Sequence, residues 1–332
     1  MASIDGVDHC TVHCLCLYCC FEPGWTADRI QGRDEMAAVW RKLVRFAGKP
    51  LPDQVMTLKA KLRAAPRNIP YISEYFEDRC KARLFGGLAP LVPAVKDMFD
   101  GEPGLKVFKA NGDEFLRVCR DIYGLRPDEN VLDVGCGIGR KTLPLTQYLT
   151  RTASYEGIDV ARAGIEWCRK RITPRFPNFR FQHIDVHNRH YNPNGKYSAA
   201  AYKFPFKDEH FDFVVLWSVF THMMPDGIGN YLSEIRRVLK HGGRCLITYF
   251  FVNDESTRLI SGSKSSLNFR YGAGEYRVLS SSIPERAIAI DERLITDFYR
   301  KAGLQPTNIY YGSWCGRQKS LSYQDHVLAT KE

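Results

Sequence analysis

The sequence predicts an α/β fold: a doubly wound, mostly parallel sheet with an antiparallel C-terminal edge strand, preceded by a helical extension. Three observations carry this. Short apolar runs alternate with helical patterns through the C-terminal two thirds of the chain, the signature of βα units packed on both faces of a sheet. One run, Val131–Val134, is followed by three alternating glycines, Gly135, Gly137 and Gly139, and then by a helix-like segment, Arg140 to Tyr148. That is how a buried parallel strand passes into a helix through a turn that a nucleotide-like ligand can approach. Upstream, helical patterns end in a stretch punctuated by Gly86-Gly87, Pro90 and Pro93.

The elements follow in order. Residues 1–32 read as an irregular, Cys-rich leader. Glu35 to Phe46 is an amphipathic helix with Met36, Val39, Trp40 and Leu43 at helical spacing, broken by Pro50 and Pro52. Gln54 to Ala65 is a second, basic helix, and Tyr71 to Leu84 a third. Together they make residues 33–104 a basic helical extension. Glu114 to Tyr123 is helical, with Phe115, Val118 and Ile122 near one face. Strands are read at Asn130–Val134, Tyr155–Asp159, Phe179–Asp185, Phe211–Trp217 and Arg244–Phe250. Helices lie between them, as at Gly164–Arg171 and Gly229–Leu239. A last helix, Asp291–Ala302, precedes two final strands, Thr307–Tyr311 and His326–Ala329, which form the antiparallel edge.

The glycine spacing separates two classes of ligand. A dinucleotide fingerprint needs G-x-G-x-x-G, whereas here the order is G-x-G-x-G and Arg140 stands at the dinucleotide position. Asp133, two residues before the first glycine, is no part of a pyrophosphate pattern. The run Asp133-x-Gly135-x-Gly137-x-Gly139 is similar to the first motif of class I S-adenosylmethionine (SAM) methyltransferases. The second strand ends at Asp159-Val160, about 20 residues past the last glycine, where an acid in a Rossmann-like fold meets ribose hydroxyls. The third ends at Asp185-Val186, where an acid can accept from the adenine amine. The fourth ends at Trp217-Ser218 and runs into Thr221-His222. Arg236-Arg237-Val238-Leu239-Lys240 then leads through Gly242-Gly243 into the fifth strand. In this order the chain resembles the broad class I family with the methyltransferase 11-like domain. His241 replaces the family's usual proline.

The resemblance implies a SAM-dependent methyltransferase domain over residues 105–332. It implies SAM contacts at Asp133, Gly135, Cys136, Gly137, Gly139, Asp159, Val160, Asp185, Val186, Trp217 and Ser218. His222, on the loop after the fourth strand, is the candidate general base, since its unperturbed pKa suits that role. Asp212 starts its strand, away from the crevice, and reads as structural. Tyr249 is either a pocket or a core residue. Residues 253–290, with Ser261, Ser263, Phe269, Tyr271 and Tyr276, read as either a lid over the crevice or a solvated loop.

Composition bounds the function. The chain has 332 residues, 44% of them hydrophobic, which is ordinary for a globular protein. No apolar run approaches the roughly 20 residues that span a bilayer, and no secretory signal is evident, so a cytoplasmic enzyme is expected. Eleven cysteines, an odd number, suit reduced thiols. Cys10, Cys14, Cys16, Cys19 and Cys20 lack the two-knuckle spacing of a zinc module, so no metal is expected. The formal charge of +10 is partly concentrated in the N-terminal helices, at Arg41, Lys42, Arg45, Lys59, Lys61 and Arg63. Such a face suits an acidic partner or an anionic membrane surface. No nucleic-acid-binding motif accompanies it. The leading expectation is methyl transfer to a small molecule. The competing readings are a protein or RNA methyltransferase docking through those helices, and a non-catalytic SAM-binding scaffold.

Overall fold

The computed structural model describes residues 69–262, 265–272 and 274–332. The Cys-rich leader, the two helices read at 35–46 and 54–65, and Ser263 lie outside the described residues. The chain divides into two compact units, residues 1–113 and 114–332.

In the first unit, helix α1 spans Ile69–Phe85. Two 3-10 turns, Gly86–Leu91 and Val95–Asp97, follow where glycines and prolines deny a longer helix. Glu77 accepts the Val95 backbone N–H at 3.1 Å and pairs with Lys81 at 2.8 Å. Helix α2 spans Leu105–Asp121, starting nine residues before the stretch its apolar spacing marks, and the boundary between units falls inside it.

The second unit is built on β1 (Val131–Val134), β2 (Tyr155–Asp159), β3 (Phe179–His183), β4 (Phe211–Leu216) and β5 (Leu239–Tyr249). Helices α3 (Thr142–Tyr148), α4 (Arg162–Arg171) and α5 (Pro225–Val238) alternate with them. Two further strands, β9 (Gln305–Tyr310) and β10 (Asp325–Thr330), complete a seven-stranded sheet of order β3-β2-β1-β4-β5-β10-β9. The chain leaves β1 toward β3, then returns to start β4 on the other side of β1. In open α/β sheets a reversal of this kind is where ligands bind, at the carboxyl ends of the strands on either side, here β1 and β4. β10 runs antiparallel to both β5 and β9, so the reversed strand lies one place in from the edge.

Alternation along the strands feeds two cores. Leu132, Val134, Val214, Leu216 and Ile247 pack with Ile228, Leu232 and Ile235 of α5 and with Ile295 and Tyr299 of α7 (Glu292–Ala302). Val131, Phe213, Val215 and Leu246 face the other way, onto Phe115, Val118, Leu145, Ile165 and Cys168. Strands buried on both faces read as continuous apolar runs, which is why these were legible. Asp212 is structural as expected: its carboxylate accepts from the Asn130 N–H at 2.9 Å and from the Lys240 ammonium at 2.8 Å.

Two places depart from the expectation. The fifth strand begins at Leu239, not Arg244. Leu239 pairs with Phe211 and Arg244 with Phe213, so three extra residues bulge between them. Gly242, at φ +71°, makes the bend, and its N–H donates to the Lys331 carbonyl at 2.8 Å. Residues 253–290 are no solvated loop. After β6 (Phe251–Val252) comes α6 (Asp254–Ser261), with Asn253 and Ser256 closing a reciprocal capping box. β7 (Tyr276–Val278) and β8 (Ile288–Asp291) join β6 in a small sheet of order β6-β8-β7. Phe250, Val252, Phe269, Ala289, Trp314 and Cys315 form its own core.

Asp325 ties that insertion to the main sheet. Its carboxylate is fully buried and accepts from the Phe251 N–H, the Gly312 N–H and the Trp314 indole N–H, each at 2.7 Å, and from Arg317 at 3.1 Å. Arg317 also reaches Glu255 of α6 at 2.7 Å. Burial outweighs these donors and pushes the carboxyl up to about 6. Trp314 and Arg317, without an assignable role in the sequence, are therefore the clasp of the insertion.

Candidate cofactor and acceptor site

The glycine turn is shaped by backbone geometry that other residues resist. Gly135, Gly137 and Gly139 have φ of +86°, +57° and +87°. At Gly135 a Cβ would also stand 2.3 Å from the Val219 side chain. The Gly135 N–H donates to the Ile158 carbonyl at 2.7 Å, which binds the turn to β2.

Asp159 closes the turn from the end of β2. One carboxylate oxygen accepts the Gly137 N–H at 2.7 Å, and the other accepts the Ala161 N–H at 2.7 Å. These two bonds orient the carboxylate at the turn. We expect Asp159→Ala to weaken SAM binding by about 1–3 kcal/mol, the scale of hydrogen bonds to a charged group. Asp159→Asn keeps one acceptor and should lose less. Titration calorimetry decides, and undiminished affinity in both variants sinks the ribose assignment.

Asp133 lies beneath the turn, almost fully buried. The Tyr155 hydroxyl donates to it at 2.7 Å, and Tyr155 meets the Thr142 hydroxyl at 2.8 Å. Burial, then the neighbouring Asp133 charge, holds the Tyr155 phenol well above its usual range, so it stays a donor. Tyr155→Phe should therefore cost about 1–2 kcal/mol of stability by stripping Asp133 of this donor. An unchanged melting temperature would refute that role. The chain Thr142–Tyr155–Asp133 carries no sequence signal, because its members are joined only by the pairing of β1 with β2 and the packing of α3 against them. The Cys136 thiol is turned away from the crevice, into the core beside Gly157 and Phe181.

At the end of β3, Asp185 is half-buried and accepts from the Asn192 amide at 3.3 Å. Val186 is buried and bridges to Tyr197. His183 reaches the Val160 carbonyl at 3.1 Å. At the end of β4, Trp217 packs edge-on against Phe115 and His326, with centroids 5.3 and 4.7 Å apart. Ser218 has φ +63°, rare for a residue with a Cβ. Its N–H donates to the Thr248 hydroxyl at 2.7 Å, and its own hydroxyl donates to Gln324 at 2.9 Å. Gln324 was not legible as a site residue, because it arrives 106 residues later along the chain.

His222 ends a 3-10 turn, Phe220–His222. Its Nδ1 lies 2.9 Å from the Glu285 carbonyl, which can only accept, so Nδ1 carries the proton and Nε2 of the neutral ring keeps its lone pair. Burial pulls its pKa below the usual histidine value, His190 adds to this, and the Glu285 and Arg286 backbone opposes it. The His190 ring is nearly parallel at 6.4 Å, and Tyr191 meets it edge-on at 5.5 Å. Tyr249 is a core residue: it is buried, and its hydroxyl donates to Tyr299 at 2.9 Å. The sheet thus brings the glycine turn, Asp133 and Asp159 together, while His222 stands with the loop after β3 and the turn before β8.

Comparison with known proteins agrees with this layout. Residues 131–243 match the family model of the methyltransferase domain. Phthiotriol/phenolphthiotriol dimycocerosates methyltransferase 1 of Mycobacterium ulcerans (strain Agy99) is 37% identical over 123 residues, 36% of this chain and 37% of that protein. Aklanonic acid methyltransferase DauC of Streptomyces sp. (strain C5) is 29% identical over 146 residues, 44% of this chain and 57% of that protein. In both cases the match spans less than two thirds of the relative's length. The crystal structure of Burkholderia thailandensis 1,6-didemethyltoxoflavin-N1-methyltransferase, with bound S-adenosylhomocysteine, aligns with a TM-score of 0.42 at 18% identity, covering 67% of this chain and 79% of that one. Residues 131–243 thus match a methyltransferase domain, and that segment holds the glycine turn and the strands β1 to β4 with the start of β5.

Proposed function

We propose that the protein transfers a methyl group from SAM to a small-molecule acceptor. The observation that carries this is the pinned glycine turn: three left-handed glycines at the crevice, closed by a carboxylate from the next strand. The turn leaves room for a ligand where side chains would stand, and Asp159 is oriented for a cis-diol. Asp185 and Val186 would hold the adenine side, and Trp217 and Ser218 the end near β4. When bound, SAM supplies an electrophilic methyl group on a sulfonium. The chain's task is then to align a nucleophile with the C–S bond, exclude water and remove a proton from the acceptor. The unprotonated Nε2 of His222 is the group for that proton. The insertion at 253–290 serves as the wall over the acceptor, since its Glu285 carbonyl fixes the His222 ring.

The relatives support a small acceptor, because the phthiotriol dimycocerosates and aklanonic acid after which they are named are neither proteins nor nucleic acids. Among the described residues no helix is long and apolar enough to cross a membrane. The test has two parts. Calorimetric titration with SAM and with NAD should show binding of SAM alone. Labelled SAM incubated with protein and fractionated cell extract should place label in the low-mass fraction. Label in protein or RNA would replace this reading with the macromolecular one, and no transfer at all would leave a scaffold.

A further inference from the structure

Among the described residues, two shielded polar oxygens on the turns that hold His222 have no hydrogen-bond partner. The Thr221 hydroxyl, fully buried, makes no hydrogen bond, and neither does Oε2 of Glu285, which is shielded from solvent. A carboxylate oxygen held out of water without a donor is unfavourable, and folding alone gives no reason to keep one. Glu285 is also the residue whose backbone carbonyl fixes the His222 ring, so its side chain leaves the chain at the same turn that meets that imidazole. Three rings form a corner there. His190 and His222 are within 16° of parallel, and Tyr191 stands at 70° to one and 84° to the other. Flat ring faces next to an unpaired acceptor suit a planar or slender molecule bearing a hydrogen-bond donor.

We propose that Glu285 binds the methyl acceptor directly: its Oε2 takes a hydrogen bond from a hydroxyl or amine of an acceptor seated in the His190–Tyr191–His222 corner. This rests on the methyltransferase reading and adds the acceptor's chemistry to it. The donor requirement sets a specificity rule. A molecule that lacks an O–H or N–H at that point leaves Oε2 buried and unpaired, and is rejected for that reason.

The test uses the full-length protein saturated with S-adenosylhomocysteine and three probes: benzyl alcohol, benzylamine and toluene. At least one donor-bearing probe should bind about tenfold or more tightly than toluene, the scale of a hydrogen bond to a charged group. Glu285→Leu should erase that gap while S-adenosylhomocysteine affinity stays as in the wild type. Glu285→Gln distinguishes the donors, retaining much of the benzyl alcohol preference and losing that for an ammonium. Because Oε2 has no partner in the ligand-free protein, Glu285→Leu should also melt no lower than wild type. Equal binding of the three probes, no binding of any, an unaltered gap in Glu285→Leu, or a lower melting temperature overturns the proposal. Failure of the wild type to bind S-adenosylhomocysteine is a separate result, and overturns the methyltransferase reading itself.

Discussion

Gly137→Val is expected to abolish SAM binding in a protein that remains folded. Gly137 holds φ +57°, a region that costs a β-branched residue about 1–3 kcal/mol, so stability should fall by that order. The larger effect is on the ligand. The Gly137 N–H is one of two donors that position Asp159, and on the proposed function a valine side chain here would meet the cofactor. Relief of the strain by turning the peptide would break that bond and release the carboxylate. Either way, the two halves of the nucleoside site come apart. Calorimetry beside a melting curve checks this, and wild-type affinity in a folded variant would remove the main argument for the site.

His222→Ala should lower turnover by about 10²–10⁴-fold, the range for loss of a general base, with little change in SAM affinity. The pH profile makes the test specific. Burial lowers the His222 pKa below its ordinary value, so the wild-type ring is neutral, and competent as a base, throughout the neutral range. Activity should hold a plateau there and decline only as more acid solutions protonate the ring. The groups facing His222 are His190 and Tyr191 from the loop after β3, and Glu285 and Arg286 from the turn before β8. The acid limb should vanish in the alanine variant. If SAM affinity and turnover fall together and the limb persists, His222 shapes the pocket instead. The same shift makes a small contribution to stability: the folded protein binds the proton less tightly than the unfolded chain, so stability declines as pH falls below the unfolded value.

What could be read from the sequence was what local geometry or burial dictates. Three alternating glycines declare left-handed backbone, and the structure has it at each of them. Runs such as Val131–Val134 and Phe211–Leu216 are apolar but for one aspartate each, because both of their faces are covered. The small sheet was missed for the opposite reason: strands of two to four residues, such as Phe251–Val252 and Tyr276–Val278, are too short for periodicity to show. The start of β5 was missed because Gly242-Gly243 reads as a turn, whereas the sheet absorbs it as a bulge. Tyr155, Gln324 and Glu285 were invisible as site residues because their partners Asp133, Ser218 and His222 lie 22, 106 and 63 residues away. Only pairing of distant strands makes them neighbours.

The place of β10 in the sheet bears on how the protein is made. β9 has one neighbour, β10, and β5 has β10 on its outer side. Until residues 325–330 emerge during synthesis, β9 has no strand to join and β5 presents an unpaired, apolar rim. Such a rim is a template for other chains. Asp325 begins the same strand, so the Trp314–Arg317 clasp and the anchoring of Phe251 wait for it as well. The β3-to-β5 half of the sheet can assemble early, while the insertion beside His222 takes its final position only once the strand that begins at Asp325 has emerged. Ribosome-bound chains stalled shortly before residue 325 should accordingly be protease-resistant around β1 to β4 and sensitive through 253–290.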